Sequence, residues 1–306
     1  MRIAVFGATG VIGSALVPVL AVDHDVVAVS RHADTIRHPG VSTTTANVTD
    51  PGSVRRALDG VEIAYYLVHS LGSPDFSERD REGALTVARE AERAGLVQIV
   101  YLGGLGDDSP ELSPHLRSRV ETANALASCS VPVTTLRAAV VIGRGSAGFE
   151  TIVALVDRLP VMIAPRWLST QTQPIALVDV VGYLAGVAAR AEAIGERFDV
   201  GGPEIMTYRN MIERIAKIRG NRRVIIEVPV LSPRLSSYWL HLVTPVRAGV
   251  ARPLIEGLRN RTIAHDERIR SLVPRALTSF EEAAGAAFQA SRSRPSAHHS
   301  SAAGRH

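Results

Sequence analysis

Lysine is almost absent from this chain: of its 34 Lys and Arg residues, only Lys217 is a lysine. Chemistry that depends on a lysine is therefore confined to one position. Cysteine is equally rare, and because Cys129 is the only one, an intramolecular disulfide is excluded. This cysteine content fits a reducing compartment, and we expect a cytoplasmic protein.

Long apolar runs are also missing. The nearest approach to one, residues 175–189, is interrupted by Asp179 and is shorter than the roughly 18 to 20 residues that a membrane-spanning helix requires. A strand pattern begins at Arg2, which leaves no room ahead of it for a signal peptide. We therefore expect neither a transmembrane segment nor a secretory leader, whereas peripheral contact with a membrane surface stays open.

Excess positive charge is concentrated at one end of the chain. The formal net charge is +4, and residues 283–306 supply three of these charges through Arg292, Arg294 and Arg305 without any acid. The rest of the chain is close to neutral, which disfavours a nucleic-acid partner because such proteins carry a basic stripe. Residues 286–306 are rich in Ser, Ala, Arg and His, which predicts a disordered tail and no metal site.

A glycine-rich turn follows the first strand pattern. The apolar run 2–6 leads into Gly-Ala-Thr-Gly-Val-Ile-Gly and then into an apolar helical pattern over 14–20. Strand, glycine turn and helix together predict a dinucleotide site, in which the pyrophosphate lies at the positive end of the helix. The first glycine permits the tight turn, the second admits the pyrophosphate, and the third lets the helix pack on the strand. The predicted cofactor-binding residues of this turn are Gly7, Thr9, Gly10, Val11, Ile12 and Gly13.

Further cofactor contacts are predicted at the ends of the next strands. The second strand ends in Ser30 and Arg31, where NAD-binding units carry an acid for the ribose 2′-hydroxyl. An arginine suits a 2′-phosphate, so NADP is favoured over NAD, unless Arg31 is only a solvated loop residue. Asn47 and Val48 follow the third strand, and the Asn47 amide can reach an adenine edge. His69 and Ser70 follow the fourth strand as candidates to line the ribose, although a lone histidine is often structural.

The order of elements predicts the fold class. Strand and helix patterns alternate as far as Val141, and Asp50-Pro51 and Ser113-Pro114 mark two helix starts by an N-cap followed by proline. This alternation predicts a Rossmann-type α/β fold with a doubly wound parallel sheet. Beyond residue 145 the pattern loosens into a small C-terminal α/β lobe. We expect an NAD(P)-binding domain over 1–145, a substrate lobe over 146–285 that is interleaved with the sheet, and a tail over 286–306.

Together these residues resemble the short-chain dehydrogenase/reductase superfamily. The turn at 7–13 has the atypical or extended form of its glycine motif. Gln173-Pro174-Ile175 with Asp179, and the segment 198–203, are similar to lobe markers of NmrA-like and sugar-epimerase-like members. Residues 65–72, 101–106 and 229–245 look closer still to a bacterial group related to the complex I accessory subunit. The resemblance covers residues 1 to about 220 and implies an NAD(P)-binding oxidoreductase.

This chain cannot supply the catalytic residue pair that classical members use. Those members use a tyrosine, a lysine four residues later and an upstream serine, but the residue four before Lys217 is Glu213. At the equivalent helix stand His115 and Arg119, which share one helix face. We predict that His115 stays neutral, because a helix N-terminus and Arg119 disfavour imidazolium, and donates a hydrogen bond to a carbonyl. Arg119 would hold the cofactor ribose or a substrate oxygen, since it cannot shuttle protons.

Two functional hypotheses follow, beside the plain alternative that His115 and Arg119 form an exposed helix face. The first is an NADP-dependent oxidoreductase that transfers hydride between nicotinamide and a carbonyl, alcohol or quinone-like substrate. A hydrophobic small molecule is indicated by aromatic residues that are equally typical of a core, namely Phe149, Trp167, Tyr238 and Trp239. The second is a non-catalytic NADP-binding redox sensor or assembly factor that acts through a protein partner.

Overall fold

The structure is a computed structural model that describes residues 1–70, 72–73, 75–106, 112–164, 166–227 and 257–292. Its strands are β1 (Arg2–Phe6), β2 (Asp25–Ser30), β3 (Val41–Thr45), β4 (Ile63–Tyr66), β5 (Gln98–Gly104), β6 (Val133–Ala138), β7 (Val141–Ile142), β8 (Val161–Ala164), β9 (Gln171–Thr172), β10 (Ile175–Ala176), β11 (Arg197–Val200), β12 (Met206–Thr207) and β13 (Val224–Glu227). Its α-helices are α1 (Val11–Leu20), α2 (Pro51–Ala57), α3 (Phe76–Ala94), α4 (Pro114–Leu126), α5 (Ala147–Arg158), α6 (Leu177–Gly186), α7 (Tyr208–Ile218), α8 (Arg268–Leu272) and α9 (Phe280–Arg292).

A seven-stranded sheet forms the centre of the molecule. Its strand order is β11-β6-β5-β4-β1-β2-β3, and every neighbouring pair is parallel. The chain winds outward from β1 through β2 and β3, then returns to β4 and winds in the opposite direction. The predicted doubly wound Rossmann-type sheet is therefore confirmed. The point where the direction reverses, between β1 and β4, is where ligands bind in such sheets, beyond the carboxyl ends of the strands.

Each face of the sheet carries its own apolar core because side chains alternate along a strand. Tyr65 packs in the cluster that joins α1 and α6 to the sheet, and its hydroxyl donates to the carbonyl of Leu184 at 2.8 Å. The next residue, Tyr66, packs on the opposite face with helices α2, α3 and α4. The two N-caps that the sequence predicted are confirmed: Asp50 accepts from the amide of Gly52, and Ser113 from that of Leu116.

The third core belongs to the C-terminal lobe. It joins α5, α7 and α9, with Phe149 against Phe288 at a ring-centroid distance of 5.7 Å. The helix α9 runs to Arg292, so the tail predicted from residue 286 begins too early, because Ala287 and Phe288 pack into this core. Residues 293–306 lie outside the described residues. The last strand of the central sheet, β11, comes from the predicted lobe region, so sheet and lobe interleave along the chain.

Residues 160–172, which look irregular in sequence, contain two short strands. β8 pairs with β13 in parallel, and β9 pairs with β12 antiparallel. Their partners are distant in the chain, so local periodicity does not indicate them.

Within the described ranges, no helix is both long enough and apolar enough to cross a bilayer. Asp179 in the apolar helix α6 is buried, and it is paired with Arg275 at 3.1 Å and with the amide of Thr278 at 2.8 Å.

Candidate nucleotide-binding and active site

A cleft of about 450 Å³ opens beyond the carboxyl ends of β1, β4, β5 and β6. One wall is the start of α1, another is the first turns of α4, and the third comes from the lobe. Most of the lining is aliphatic or glycine. The side chains that can be charged or act as proton carriers at this lining are few, and among the described residues they are His69, His115, Arg119 and Tyr208.

The glycine turn has the geometry that its sequence predicted. Gly7 has a φ of +87°, a left-handed conformation that L side chains rarely adopt. A Cβ atom on Gly13 would lie 2.3 Å from the carbonyl oxygen of Gly7, so only glycine lets α1 pack this closely on the turn. Gly10 is the N-cap residue of α1, and no side chain hydrogen-bonds to the first amides of this helix. The residues from Gly10 to Gly13 line the cleft. The start of α1 therefore presents its first amide groups to the cleft.

Thr9, Ser30 and Arg31 form a second group at the end of β2. The hydroxyls of Thr9 and Ser30 are 2.9 Å apart, and Ser30 is buried. Arg31 follows directly and is exposed. The amides of Gly7 and Ala8 both donate to the carbonyl of Val29, which holds the turn against this strand end. These residues do not line the cleft itself but continue its edge along β2.

Two predicted residues make contacts that point away from a ligand. The Asn47 side-chain oxygen accepts from the amide of Thr49 at 3.3 Å. Val48 packs on α3, since a Cβ on Gly83 would lie 2.7 Å from a Val48 methyl group. Neither residue lines the cleft. Their proposed contact with adenine stays a prediction, and for Val48 it would have to involve the backbone or the exposed part of the side chain.

Three basic side chains meet in the wall of the cleft. His69 follows β4, whereas His115 and Arg119 lie on one face of α4. Burial among protein atoms, together with the charges of Arg119 and His69, lowers the pKa of His115 to about 3. Burial, with help from Arg119, lowers the pKa of His69 to about 4. Although His69 is exposed to the open cleft, protein surrounds the ring on its other sides, so the neutral imidazole is favoured.

The predicted neutral state of His115 is thus supported, but its main cause is different. The sequence suggested the helix terminus and Arg119, whereas burial is the largest contribution. His69 adds a contribution that the sequence analysis did not include. Both rings can donate one N–H as neutral imidazoles, and neither is a proton source at neutral pH.

Asp80 is a functional candidate that the sequence analysis missed. It lies on α3 with 3% of its surface exposed, and its carboxylate accepts from the amide of Ser70 at 2.7 Å. Burial raises the pKa of Asp80, while the positive charge of Arg119 opposes that rise. The signal was available: Asp80 is an acid on the apolar face of an amphipathic helix, in line with Ala84 and Val87. Ser70 itself contributes this backbone contact and does not line the cleft.

The lobe wall contains a cluster of three hydroxyls. Thr262 donates to Thr172 at 2.7 Å, and both side chains hydrogen-bond to the buried hydroxyl of Tyr208.

Phe149 is buried in the lobe core, so this aromatic residue packs in the core and does not contact a substrate. The side chain of Trp167, together with Tyr238 and Trp239, lies outside the described residues. Among the described residues, no group of three His, Cys, Asp or Glu side chains could hold a metal ion.

The structure therefore brings about half of the predicted site residues into one cleft. Those in its lining are Gly10, Val11, Ile12, Gly13, His69, His115 and Arg119. Those that lie behind it or along its edge are Gly7, Thr9, Ser30, Arg31, Asn47, Val48 and Ser70.

Comparison with known proteins agrees with this geometry. Residues 7–143 match a family model described as NAD(P)H-binding. Triphenylmethane reductase from Citrobacter sp., solved with NADP(H), superposes with a TM-score of 0.74 at 18% identity over 94% of this chain and 100% of that one. A nucleoside-diphosphate-sugar epimerase from Staphylococcus aureus gives a TM-score of 0.73 at 15% identity over 92% and 99%. UDP-glucose 4-epimerase from Thermotoga maritima gives 0.71 at 15% identity over 95% and 99%.

A search of curated protein sequences finds no match to the chain. At these identities the structural neighbours establish the fold, and the family model establishes the class of domain. The predicted resemblance is confirmed at that level, whereas the closer likeness to the complex I accessory subunit group stays a prediction. Residues 7–143 therefore match a family model of NAD(P)H-binding domains, and the chain shares its Rossmann-type fold with triphenylmethane reductase and the sugar-nucleotide epimerases.

Proposed function

We propose that this chain is an NADP-dependent oxidoreductase of the atypical short-chain type, with a hydrophobic carbonyl, alcohol or quinone-like substrate. The observation that carries the proposal is the shared cleft. The uncapped start of α1 and the trio of His69, His115 and Arg119 face the same space of about 450 Å³. A pyrophosphate site and a set of polar groups for the reacting end are thus joined by an apolar wall.

The residues present fit a dinucleotide. No side-chain hydrogen bond caps the N-terminus of α1, so its first amides are available to a pyrophosphate. Arg31, exposed at the end of β2, would bind the 2′-phosphate beside the Thr9–Ser30 pair. This arginine, and the absence of an acid there, favour NADP. The NADP(H) complex of triphenylmethane reductase supports the same choice.

The reacting end would depend on His115 and Arg119. The bound nicotinamide supplies or accepts the hydride. His115, held neutral by burial, would donate an N–H to the substrate oxygen, and Arg119 would hold that oxygen or the cofactor ribose. His69 is suited to the ribose, because it lies in the loop after β4 and lines the same wall. The proton that accompanies hydride transfer would come from solvent, since neither imidazole is protonated at neutral pH.

The apolar lining supports a hydrophobic substrate. Leu102, Leu105 and Leu116 face the cleft on the Rossmann side, and Val140 and Ile152 face it from the lobe. Burial of an apolar ring against these side chains would position it without polar contacts.

The first experiment is a fluorescence titration of NADPH and NADH on the wild type and on Arg31→Ala. We expect NADPH to bind more tightly than NADH. The substitution should weaken NADPH by about tenfold or more and leave NADH nearly unchanged, because only NADPH carries the 2′-phosphate. Arg81→Ala, an exposed arginine on α3, is the matched control. If neither nucleotide binds, the oxidoreductase proposal fails.

A second experiment separates the proposal from its alternative. The same low pKa values that leave His69 and His115 without a proton to transfer also favour a non-catalytic NADP-binding sensor that acts through a protein partner. NADPH oxidation is followed with aliphatic aldehydes, aromatic ketones and quinones, on the wild type and His115→Ala. Turnover that falls in the variant while NADPH affinity is kept supports the enzyme. Tight NADPH binding without turnover across the panel favours the sensor.

A further inference from the structure

The two-stranded sheet of the lobe has one apolar face that is exposed. β8 and β13 run in parallel with Val161 opposite Val224. On the inner face, Met162 is buried and Ile225 packs against the lobe core. On the outer face, Val161, Val224 and Ile226 are 49%, 57% and 47% exposed. Because alternate strand residues share a face, these three β-branched side chains form one patch, which we call the outer face.

Basic residues surround the beginning of both strands. Helices α5 and α7 end there, and exposed cations occur at Arg158, Lys217, Arg219 and Arg222, followed by the half-buried Arg223. Asp157 lies among them and pairs with Arg219 at 2.8 Å, and the charge of Lys217 acts on Glu281. The hydrogen bond from Arg223 to the carbonyl of Val156 joins the two helix ends. We call these five cations the basic rim.

The basic rim contains more cations than the two helix ends require. Cations in the last turn of a helix offset its negative end, which accounts for Arg158 and Lys217. Arg222 and Arg223 lie beyond α7 and lead directly into the strand that carries Val224 and Ile226. The sequence did not indicate the rim, because Arg158 lies about 60 positions before the other four cations. The pairing of β8 with β13 and the Asp157–Arg219 ion pair bring them together.

We propose that the outer face and its basic rim dock on an anionic lipid bilayer. Apolar side chains flanked by Lys and Arg suit the bilayer interface, where the former enter the acyl boundary and the latter contact phosphate groups. A second copy of this chain fits less well. A two-fold contact through this face would bring two basic rims together, and like charges would repel.

This docking leaves the cleft accessible and goes beyond the proposed function. Helices α5 and α7 both begin at the cleft, with Ala147 and Tyr208 in its lining, and both end at the basic rim. The 12 residues of α5 put about 18 Å between the two sites. The chain would therefore sit on the bilayer with its nucleotide site in water, near the phase in which hydrophobic molecules dissolve.

The experiment is co-sedimentation of the full chain with two kinds of vesicle, phosphatidylcholine alone and phosphatidylcholine mixed with phosphatidylglycerol. We expect binding to the mixed vesicles to exceed binding to the neutral ones by about tenfold or more, and to fall as salt is raised. Charge in the tail beyond residue 292 could produce the same preference, so variants of the face decide the origin.

Each half of the surface has its own variant and a matched control. Val224→Ser with Ile226→Ser removes the apolar part, and Arg158→Gln with Arg222→Gln removes two charges of the rim. We expect each double variant to lower binding to the mixed vesicles by about tenfold. The controls alter the same residue types at exposed positions elsewhere and should bind like the wild type: Val22→Ser with Val178→Ser, and Arg81→Gln with Arg89→Gln.

Three results would overturn the proposal. One is equal binding to both kinds of vesicle. Another is binding to the mixed vesicles that the two face variants leave unchanged, or that the controls lower equally. The third is a dimer in sedimentation velocity that Val224→Ser with Ile226→Ser dissolves while vesicles are not bound, which reassigns the face to a second copy. NADPH titration of the same samples keeps this outcome separate from that of the proposed function.

Discussion

The carboxylate of Asp80 accepts a hydrogen bond of 2.7 Å from the backbone amide of Ser70. This contact ties helix α3 to the loop after β4, one residue beyond His69. Asp80 is also buried where the charge of Arg119 favours its ionised form. A single acid behind the cleft thus holds the loop that carries His69 and also interacts with the charge of Arg119.

Removal of this acceptor should cost stability. For Asp80→Ala we expect the free energy of unfolding to fall by about 1 to 3 kcal/mol, because the part-buried amide of Ser70 loses its acceptor. Asp80→Asn keeps an acceptor oxygen and should lose less. Urea denaturation measures both. If the two variants are equally destabilised, the charge of Asp80 and not its hydrogen bond is what matters.

Gly13 should not tolerate even one added carbon. A Cβ there would lie 2.3 Å from the carbonyl oxygen of Gly7, so Gly13→Ala must displace α1 from the turn. We expect a loss of at least about 2 kcal/mol in unfolding free energy and no measurable NADPH binding. Gly285→Ala is the control, because nothing lies within 4 Å of its Cβ position in α9, and a gain of roughly 0.5 to 1 kcal/mol is expected there. Wild-type NADPH affinity in Gly13→Ala would contradict the packing argument.

The two imidazoles in the wall of the cleft should make stability depend on pH. In the unfolded chain, histidine titrates near its ordinary pKa of 6.5, whereas His69 and His115 keep pKa values of about 4 and about 3 when folded. Between those values the unfolded chain binds more protons, so the free energy of unfolding falls as pH falls below about 6.5 and is fully present above it. Denaturation at pH 7 and pH 5 measures the difference. The His115→Leu variant should show a smaller decrease, and an equal one would contradict the burial of this ring.

The ion pair of Arg137 and Asp199 joins β6 to β11 at the edge of the central sheet. Its N–O distance is 2.7 Å, and Asp199 is only 3% exposed. Arg137→Leu leaves a buried carboxylate, which still accepts from the amide of His265, and we expect a loss of about 3 kcal/mol. Arg209→Leu breaks an exposed pair with Glu213 and should change stability by less than about 1 kcal/mol. Thermal unfolding of both variants measures the two losses of stability. Similarly small losses in the two variants would contradict a structural role for the buried pair.

Local signals predicted element boundaries in the Rossmann half. The helix starts predicted at Asp50-Pro51 and Ser113-Pro114 are those of α2 and α4, because each N-cap side chain accepts from a backbone amide of the first turn. The glycine turn likewise has the conformation that its spacing predicted. These features depend on neighbours within a few residues, so one sequence is enough to find them.

The sequence by itself therefore determined the fold class and the conformation of the glycine turn, whereas a catalytic role of His115 and Arg119 stays a prediction. Only the tertiary structure decided which polar side chains meet. Asp80 reaches Ser70, and His69 shares a wall with His115, because α3 and α4 pack on the same face of the sheet. The pairing of β8 with β13 likewise assembles the outer face, and with the Asp157–Arg219 ion pair it brings Arg158 to the other cations of the basic rim. Such contacts join residues far apart in the chain, and their geometry follows from packing, for which a single sequence carries no local pattern.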